Sequence, residues 1–253
     1  MSHHIVEVQA LSYTYPEGNQ ALCDVSFRIG HGESVAVIGG NGAGKSTLLL
    51  HLNGFLKPTA GAVRIGDLPV LRETLVQVRR GVGMVFQDPD DQLFMANVFD
   101  DVAFGPLNMG LPKDEIDARV HSALETVGAG HLAARPPYRL SSGEKRAVAI
   151  AGVLAMAPSI LVMDEPSDGL DPAARRRLIN LLRGFMHTKI IATHDLDLVL
   201  DLCSRVLIMN QGRIEADGPP DKIFADADLL ARCRLEPPLS RQQRAAPVSP
   251  TSQ

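Results

Sequence analysis

The feature that most constrains this chain is the run GGNGAGKST at residues 39–47, which follows the apolar strand-like segment SVAVIG (34–39) and opens onto LLLHL. Strand, glycine-rich turn and helix start in that order form a phosphate-binding P-loop. The amides from Asn41 to Thr47, including Gly42, Ala43 and Gly44, point into one concavity and meet the positive end of the helix dipole. A phosphate chain can therefore sit there without a basic patch. Lys45 is spaced to reach the β and γ phosphates, and the Ser46 hydroxyl to ligate Mg²⁺.

A second segment supports the first. In ILVMDEP (160–166) a buried strand delivers two acids at its carboxyl end. Asp164 is the acid expected to orient Mg²⁺ and its water shell, and Glu165 stands where a carboxylate could polarise a water attacking the γ phosphate. A third segment, LSSGEKRAVAIAGVLAM (140–156), reads as a helix with a polar start. Ser141 and Glu144 have capping-box spacing, the apolar body runs to Met156, and Pro158 stops it.

Composition narrows the function classes. With 253 residues, 45% of them hydrophobic, the chain can bury a sizeable core as one α/β domain or as one plus a small lobe. A net charge of -4 and the lack of a Lys/Arg stripe argue against a nucleic-acid partner. The most apolar stretch, 147–163, is broken by Pro158 and Ser159 short of the ~20 residues that span a bilayer. MSHHIVEVQA has no basic region followed by an apolar run, so no secretory leader is expected. Cys23, Cys203 and Cys233 lack metal-ligand spacing and suit a reducing cytosol, and His3 and His4 suit a solvated terminus.

Along the chain, SVAVIG, VGMVFQ (82–87), ILVMD (160–164), KIIAT (189–193) and VLIMN (206–210) are nearly continuous in apolar residues. Strands of that kind are covered on both faces, so a largely parallel sheet is expected. IVEV (5–8), VSFRI (25–29) and AVRIG (62–66) alternate instead, which predicts an antiparallel β flap. Between Gln87 and Leu140 the strand pattern stops, and KDEIDARVHSALETVG (113–128) reads as an amphipathic helix ending at Gly128. A helical subdomain over about 90–157 is thus inserted into a domain spanning 1–235, and the proline-rich segment 236–253 is expected to be a disordered tail.

The P-loop, LSSGEKR, MDEPSDGLDP and ATHD, in this order, resemble the ATP-binding subunit of ABC transporters over residues 5–225. The resemblance implies an ABC ATPase cassette that binds ATP and Mg²⁺ and works as a homodimer, each nucleotide held between one P-loop and the partner's signature motif. Ser141, Ser142, Gly143 and Glu144 would then form that signature, aimed at the γ phosphate on the partner chain. Ser142 and Glu144 stand where glycine and glutamine are common, and Gly40 where proline is common. Glu144 adds negative charge close to a nucleotide, and its detailed role stays open. Tyr15, ahead of Tyr13 two residues away, matches the aromatic that stacks on adenine. Gln87 matches the Q-loop glutamine that touches Mg²⁺ or the attacking water, Asp171 the D-loop aspartate that crosses the dimer interface, and His194 the switch histidine at the γ phosphate.

DPDDQLF (88–94) after Gln87 and the following VFDDVAFGPLNMG resemble the ATPases of energy-coupling factor (ECF) importers, whose cassettes drive a transmembrane coupling protein and a membrane substrate-capture protein. Phe94 and the helix after it would help build the groove for a coupling helix. LSSGEKRAVAIAGVLAM, ATHDLDLVLDLCSRVLIMNQGRI and ADGPPDKIF are most similar to the cobalt and nickel branch. The resemblance implies a peripheral protein on the cytoplasmic face of the cell membrane. A vitamin importer of the same type is the alternative, and a soluble ABC ATPase the remote one.

Overall fold

The computed structural model describes residues 4–242. Two sheets organise it. Strands β1 (His4–Thr14), β2 (Gln20–Gly30), β4 (Ala60–Ile65) and β5 (Leu68–Pro69) form an antiparallel sheet in the order β2-β1-β4-β5. The six-stranded sheet runs β10-β9-β3-β8-β7-β6, built from β3 (Ser34–Ile38), β6 (Val82–Val85), β7 (Ile160–Asp164), β8 (Thr188–Ala192), β9 (Arg205–Asn210) and β10 (Arg213–Gly218). Every pairing in it is parallel except β9 with β10 at the edge.

The apolar runs lie in the middle of this sheet because both of its faces are covered. Pleating sends Val35, Val37, Ile160 and Val162 toward the antiparallel flap, while Ala36, Ile38, Leu161 and Met163 pack on the helices of the other face. The flap side also receives α1 (Lys45–Leu52) and α2 (Leu75–Gly81). The other side receives α6 (Pro172–Gly184), α7 (Leu196–Leu202), α8 (Pro220–Ala225) and α9 (Ala227–Arg232). Each such fully buried aliphatic side chain contributes about 1.5–3 kcal/mol of transfer free energy.

The inserted helices carry their own core. α3 (Val98–Asn108), α4 (Lys113–Thr126) and α5 (Ser142–Leu154) bury Val98, Val102, Val120, Leu124, Val148 and Ala151 against one another. Met156 packs where α3 meets α5, so close to Gly105 that a Cβ there would stand 2.6 Å from its Cγ. α5 stops two residues short of Met156, and α4 two short of Gly128, which takes a left-handed φ of 71° just past the helix end.

The segment expected to be a tail, 236–253, is described as far as residue 242. Leu239–Arg241 form a 3₁₀ turn, and the Ser240 amide donates to Asp197 Oδ1 on α7 at 3.2 Å, with Arg241 paired to Asp221. A serine and an arginine that find carboxylates outweigh the local proline content there. The rest of the expected tail, 243–253, and His3 lie outside the described residues.

Candidate active site

The glycine-rich loop leaves β3 and enters α1 through backbone that side chains disfavour. Gly39, Gly42 and Gly44 have φ of 154°, 77° and 102°. A Cβ on Gly39 would stand 2.2 Å from the Met209 carbonyl oxygen, and one on Gly44 2.7 Å from that of Ala21. These close approaches, more than turn geometry, require glycine. The Lys45 ammonium curls back into the loop and donates to the carbonyls of Gly39 (2.9 Å) and Gly40 (3.3 Å). The first turn of α1 contributes amides that no helical carbonyl can reach, in the place a phosphate chain would occupy.

Ser46, Gln87, Asp164 and Ser142 line one open cavity of about 510 Å³, together with Arg146 and Asp168. Asp164 is only 5% exposed, and its Oδ1 has no hydrogen-bond partner. Burial pushes its carboxyl above the ordinary range, with the Ser46 hydroxyl opposing and the neighbouring Glu165 adding to the rise. An unpartnered carboxylate oxygen beside a serine hydroxyl and a glutamine is a hard-oxygen donor set, and it fits Mg²⁺. Among the described residues no group of three His, Cys, Asp or Glu side chains could hold a metal, so this set would have to share its cation with phosphate oxygens.

Glu165 follows with a left-handed φ of 45°. Its amide is held by the Ala192 carbonyl at 2.8 Å, and its Oε2 accepts from the His194 amide at 3.1 Å. His194 Nδ1 lies 2.8 Å from the same oxygen. The carboxylate is thus aimed by the end of the neighbouring strand β8. Next to His194, Asp195 caps α7 and takes both Nε and Nη2 of Arg175 at 2.7 and 3.0 Å. Burial would raise the Asp195 carboxyl, but the Arg175 and Leu198 hydrogen bonds outweigh it and hold the group low.

The other motif residues fall on different surfaces. Ser141, Gly143, Glu144 and Asp171 line a second cavity of about 700 Å³ between the helical subdomain and α6. The capping box of α5 is complete: the Ser141 amide donates to Glu144 Oε2 at 2.7 Å and the Glu144 amide to Ser141 Oγ at 3.3 Å. The Ser141 amide and hydroxyl both donate to Glu144 Oε2 and keep the Glu144 carboxyl low. That gives the acid at the glutamine position a definite duty in the helix end. Asp171 caps α6, accepting from the Ala174 amide at 2.8 Å. Asn41 is exposed on the loop, and Tyr15 Oη is 3.0 Å from Thr47 Oγ1. Tyr13 instead packs edge-on against His51, with ring centroids 4.8 Å apart, on the flap side of the core.

Sequence reasoning missed Arg146, Gln92 and the Arg175–Asp195 pair. Arg146 follows LSSGEK directly, and nothing local distinguishes a buried arginine from a surface one. Gln92 lay in a polar loop.

Residues 22–168 match the family described as ABC transporter. A putative ABC transporter ATP-binding protein of Geobacter sulfurreducens, GSU1281, is 66% identical over 242 residues, covering 96% of this chain and 97% of the relative. The energy-coupling factor transporter ATP-binding protein EcfA of Methanothermobacter thermautotrophicus is 48% identical, covering 92% of this chain and 77% of its own. Among solved structures, cbiO1 of Clostridium perfringens, part of the ABC transporter complex cbiONQ, superposes with a TM-score of 0.79 at 43% identity, covering 91% of this chain and 94% of that one. The cassette MJ0796, in a dimeric post-hydrolysis state bound to ADP and Pi, also gives 0.79, at 27% identity, covering 85% of this chain and 98% of that one. A P-loop, a buried acid pair and a capped signature helix, together with relatives of this identity along almost the whole chain, identify it as a member of the ABC transporter family, an ATP-binding and ATP-hydrolysing cassette of the energy-coupling factor type.

Proposed function

We propose that this cassette powers an ECF-type importer of cobalt or nickel ions, working as a homodimer that ATP closes and hydrolysis reopens. The observation that carries the hydrolytic part is the buried Asp164 oxygen without a partner beside Ser46 and Gln87, with Glu165 next in the chain braced by His194. The cobalt or nickel reading rests on the segments 140–156, 192–214 and 216–224, which resemble that branch, with cbiO1 as a structural neighbour.

Lys45 and the loop amides bind the phosphates, and Ser46, Gln87 and Asp164 are the residues that would hold Mg²⁺. When bound, that ion neutralises charge on the β and γ oxygens. Glu165 takes a proton as water adds to the γ phosphorus, and the bond to the bridging oxygen breaks to leave ADP and phosphate. His194 holds the carboxylate through its amide. Tyr15 stacks on adenine. Across the dimer, the other protomer presents its Ser141, Ser142, Gly143 and Glu144 to the γ phosphate, and Asp171 lies at the interface. Closure is a population shift driven by contacts made only in the closed state.

Among the described residues no helix is long and apolar enough to cross a membrane. On the resemblance to ECF ATPases, membrane passage is assigned to partner subunits, with the cassette docked on the cytoplasmic face. Phe94 and Phe104, 62% and 39% exposed, with ring centroids 4.9 Å apart, offer an apolar seat for a coupling helix of the transmembrane protein. The test is tracer uptake of cobalt and nickel in cells whose only copy carries Glu165→Gln, against wild type at equal expression. Loss of uptake of either ion supports the reading and names the cargo. Unchanged uptake of both moves the cargo to the vitamin class and leaves the ATPase intact.

A further inference from the structure

The loop that carries Gln87 is fastened to the signature helix at three successive points. The Gln92 side chain accepts from the Phe86 amide at 3.3 Å and donates to the Ala149 carbonyl at 2.8 Å. Arg146 Nη1 donates to the Phe86 carbonyl at 3.0 Å, and Lys145 Nζ is paired with Asp90 at 2.6 Å. Lys145 and Arg146 stand four and three positions before Ala149, so each neighbours it on the surface of α5.

The three fastenings differ in weight. Asp90 is 61% exposed, so its ion pair with Lys145 is screened and weak. Arg146 is 6% exposed, its Nε has no partner, and it lines both the cavity with Ser46, Gln87 and Asp164 and the one with Ser141, Gly143 and Glu144. Burial lowers its guanidinium from the ordinary value, against the pull of the nearby acids Asp168, Asp88, Asp164 and Glu165. A buried guanidinium bonded to a loop carbonyl is held in one place, because leaving either group unpaired is costly.

We propose that Arg146 and Gln92 are positioning residues that make the Q-loop and the signature helix move as one body, so that Gln87 on one nucleotide sets the angle at which Ser141–Glu144 meet the nucleotide across the dimer. This rests on the homodimer reading given above. Each acts through backbone groups: Arg146 through the Phe86 carbonyl, Gln92 through the Phe86 amide and the Ala149 carbonyl. Among the described residues Arg146 is the side chain that lines both cavities.

The experiment compares purified wild type, Arg146→Met, Gln92→Leu and Arg146→Lys. In nucleotide-free protein, amide exchange in peptides covering 86–92 should rise about tenfold in the Met and Leu variants, the factor for one buried hydrogen bond, with strands β3 and β7 unchanged as the check on folding. In steady state, kcat should fall about tenfold and the Hill coefficient for ATP should drop toward 1, while the dissociation constant for a fluorescent ATP analogue changes less than about twofold. Arg146→Lys keeps the charge and should recover part of kcat. A merely structural role would weaken nucleotide binding and stability without a selective loss of cooperativity. A cooperative wild type whose variants keep its Hill coefficient overturns this inference alone. A wild type with a Hill coefficient of 1, and no ATP-dependent dimer of Glu165→Gln, overturns the homodimer reading and this inference with it.

Discussion

Replacing Asp164 by asparagine should stabilise the nucleotide-free protein while removing its response to Mg²⁺. The wild-type carboxylate is 5% exposed, one of its oxygens has no partner, and Glu165 sits beside it. A buried unsatisfied polar group costs about 1–3 kcal/mol, and more when charged. Asparagine has the same shape and leaves only a neutral group unsatisfied, so a gain of about 1–2 kcal/mol is expected at pH 8.

The sign of the pH dependence follows from the upward shift that burial imposes on Asp164. Between its unfolded and folded pKa the native state holds the proton that the unfolded state has lost, so wild-type stability falls as pH rises through the folded value. The advantage of Asp164→Asn should therefore be largest above that value and vanish as the pH drops into the ordinary carboxylate range. The assay is urea unfolding, with unchanged m as the condition for comparison. Repeated with Mg-ATP at a hundred times its dissociation constant, wild type should gain about 2.7 kcal/mol and the variant only what ATP gives without the metal. An Asp164→Asn protein less stable than wild type at pH 8 without nucleotide would refute the reasoning, since it would mean that the carboxylate is well partnered.

Gly39→Ala should cost about 3 kcal/mol in urea unfolding and abolish nucleotide binding, because its Cβ would lie 2.2 Å from a carbonyl of β9. Ser141→Ala should cost about 1 kcal/mol by loss of the N-cap, whereas Glu144→Gln keeps the second half of the box and should cost less than half of that in the same titration. Arg175→Met should cost about 1–2 kcal/mol at pH 7 by stripping Asp195 of two hydrogen bonds. Because the folded Asp195 carboxyl is held low, that loss should fade on acidification through its folded value, which unfolding midpoints measured from neutral pH downward would detect.

The parts of the molecule that the sequence revealed are those fixed by short-range rules. Buried strands such as Ile160–Asp164 are marked by unbroken apolar runs, the flap by alternation, and the start of α5 by Ser141 and Glu144 three residues apart. The edge strand Arg213–Gly218 escaped because its burial alternates between exposed and half-buried, which leaves little hydrophobic pattern to read. Helix ends are less legible: the apolar run continues to Met156 although α5 ends at Leu154, whereas Gly128 marks the end of α4 just past its last turn. Gln87, Glu165 and His194 were recognisable from motif order, but their mutual geometry was not: the hydrogen bond from the His194 amide to Glu165 joins residues 29 apart in sequence.

That separation explains which residues sequence reasoning misses in a site of this kind. A side chain that touches phosphate has its type set by the phosphate, and the pattern recurs wherever the ligand does. A side chain that fastens one element of the site to another has its type set by whatever backbone group the fold brings near. Gln92 bonds to the Ala149 carbonyl, 57 positions away, and Arg146 to the Phe86 carbonyl, 60 positions away. Neither contact has a local signature, so both emerge only once α5 is packed against the loop. The consequence is asymmetric: changes at Asp164 or Lys45 should act on binding and chemistry directly, while changes at Gln92 or Arg146 should leave each half-site competent and disturb the timing between them.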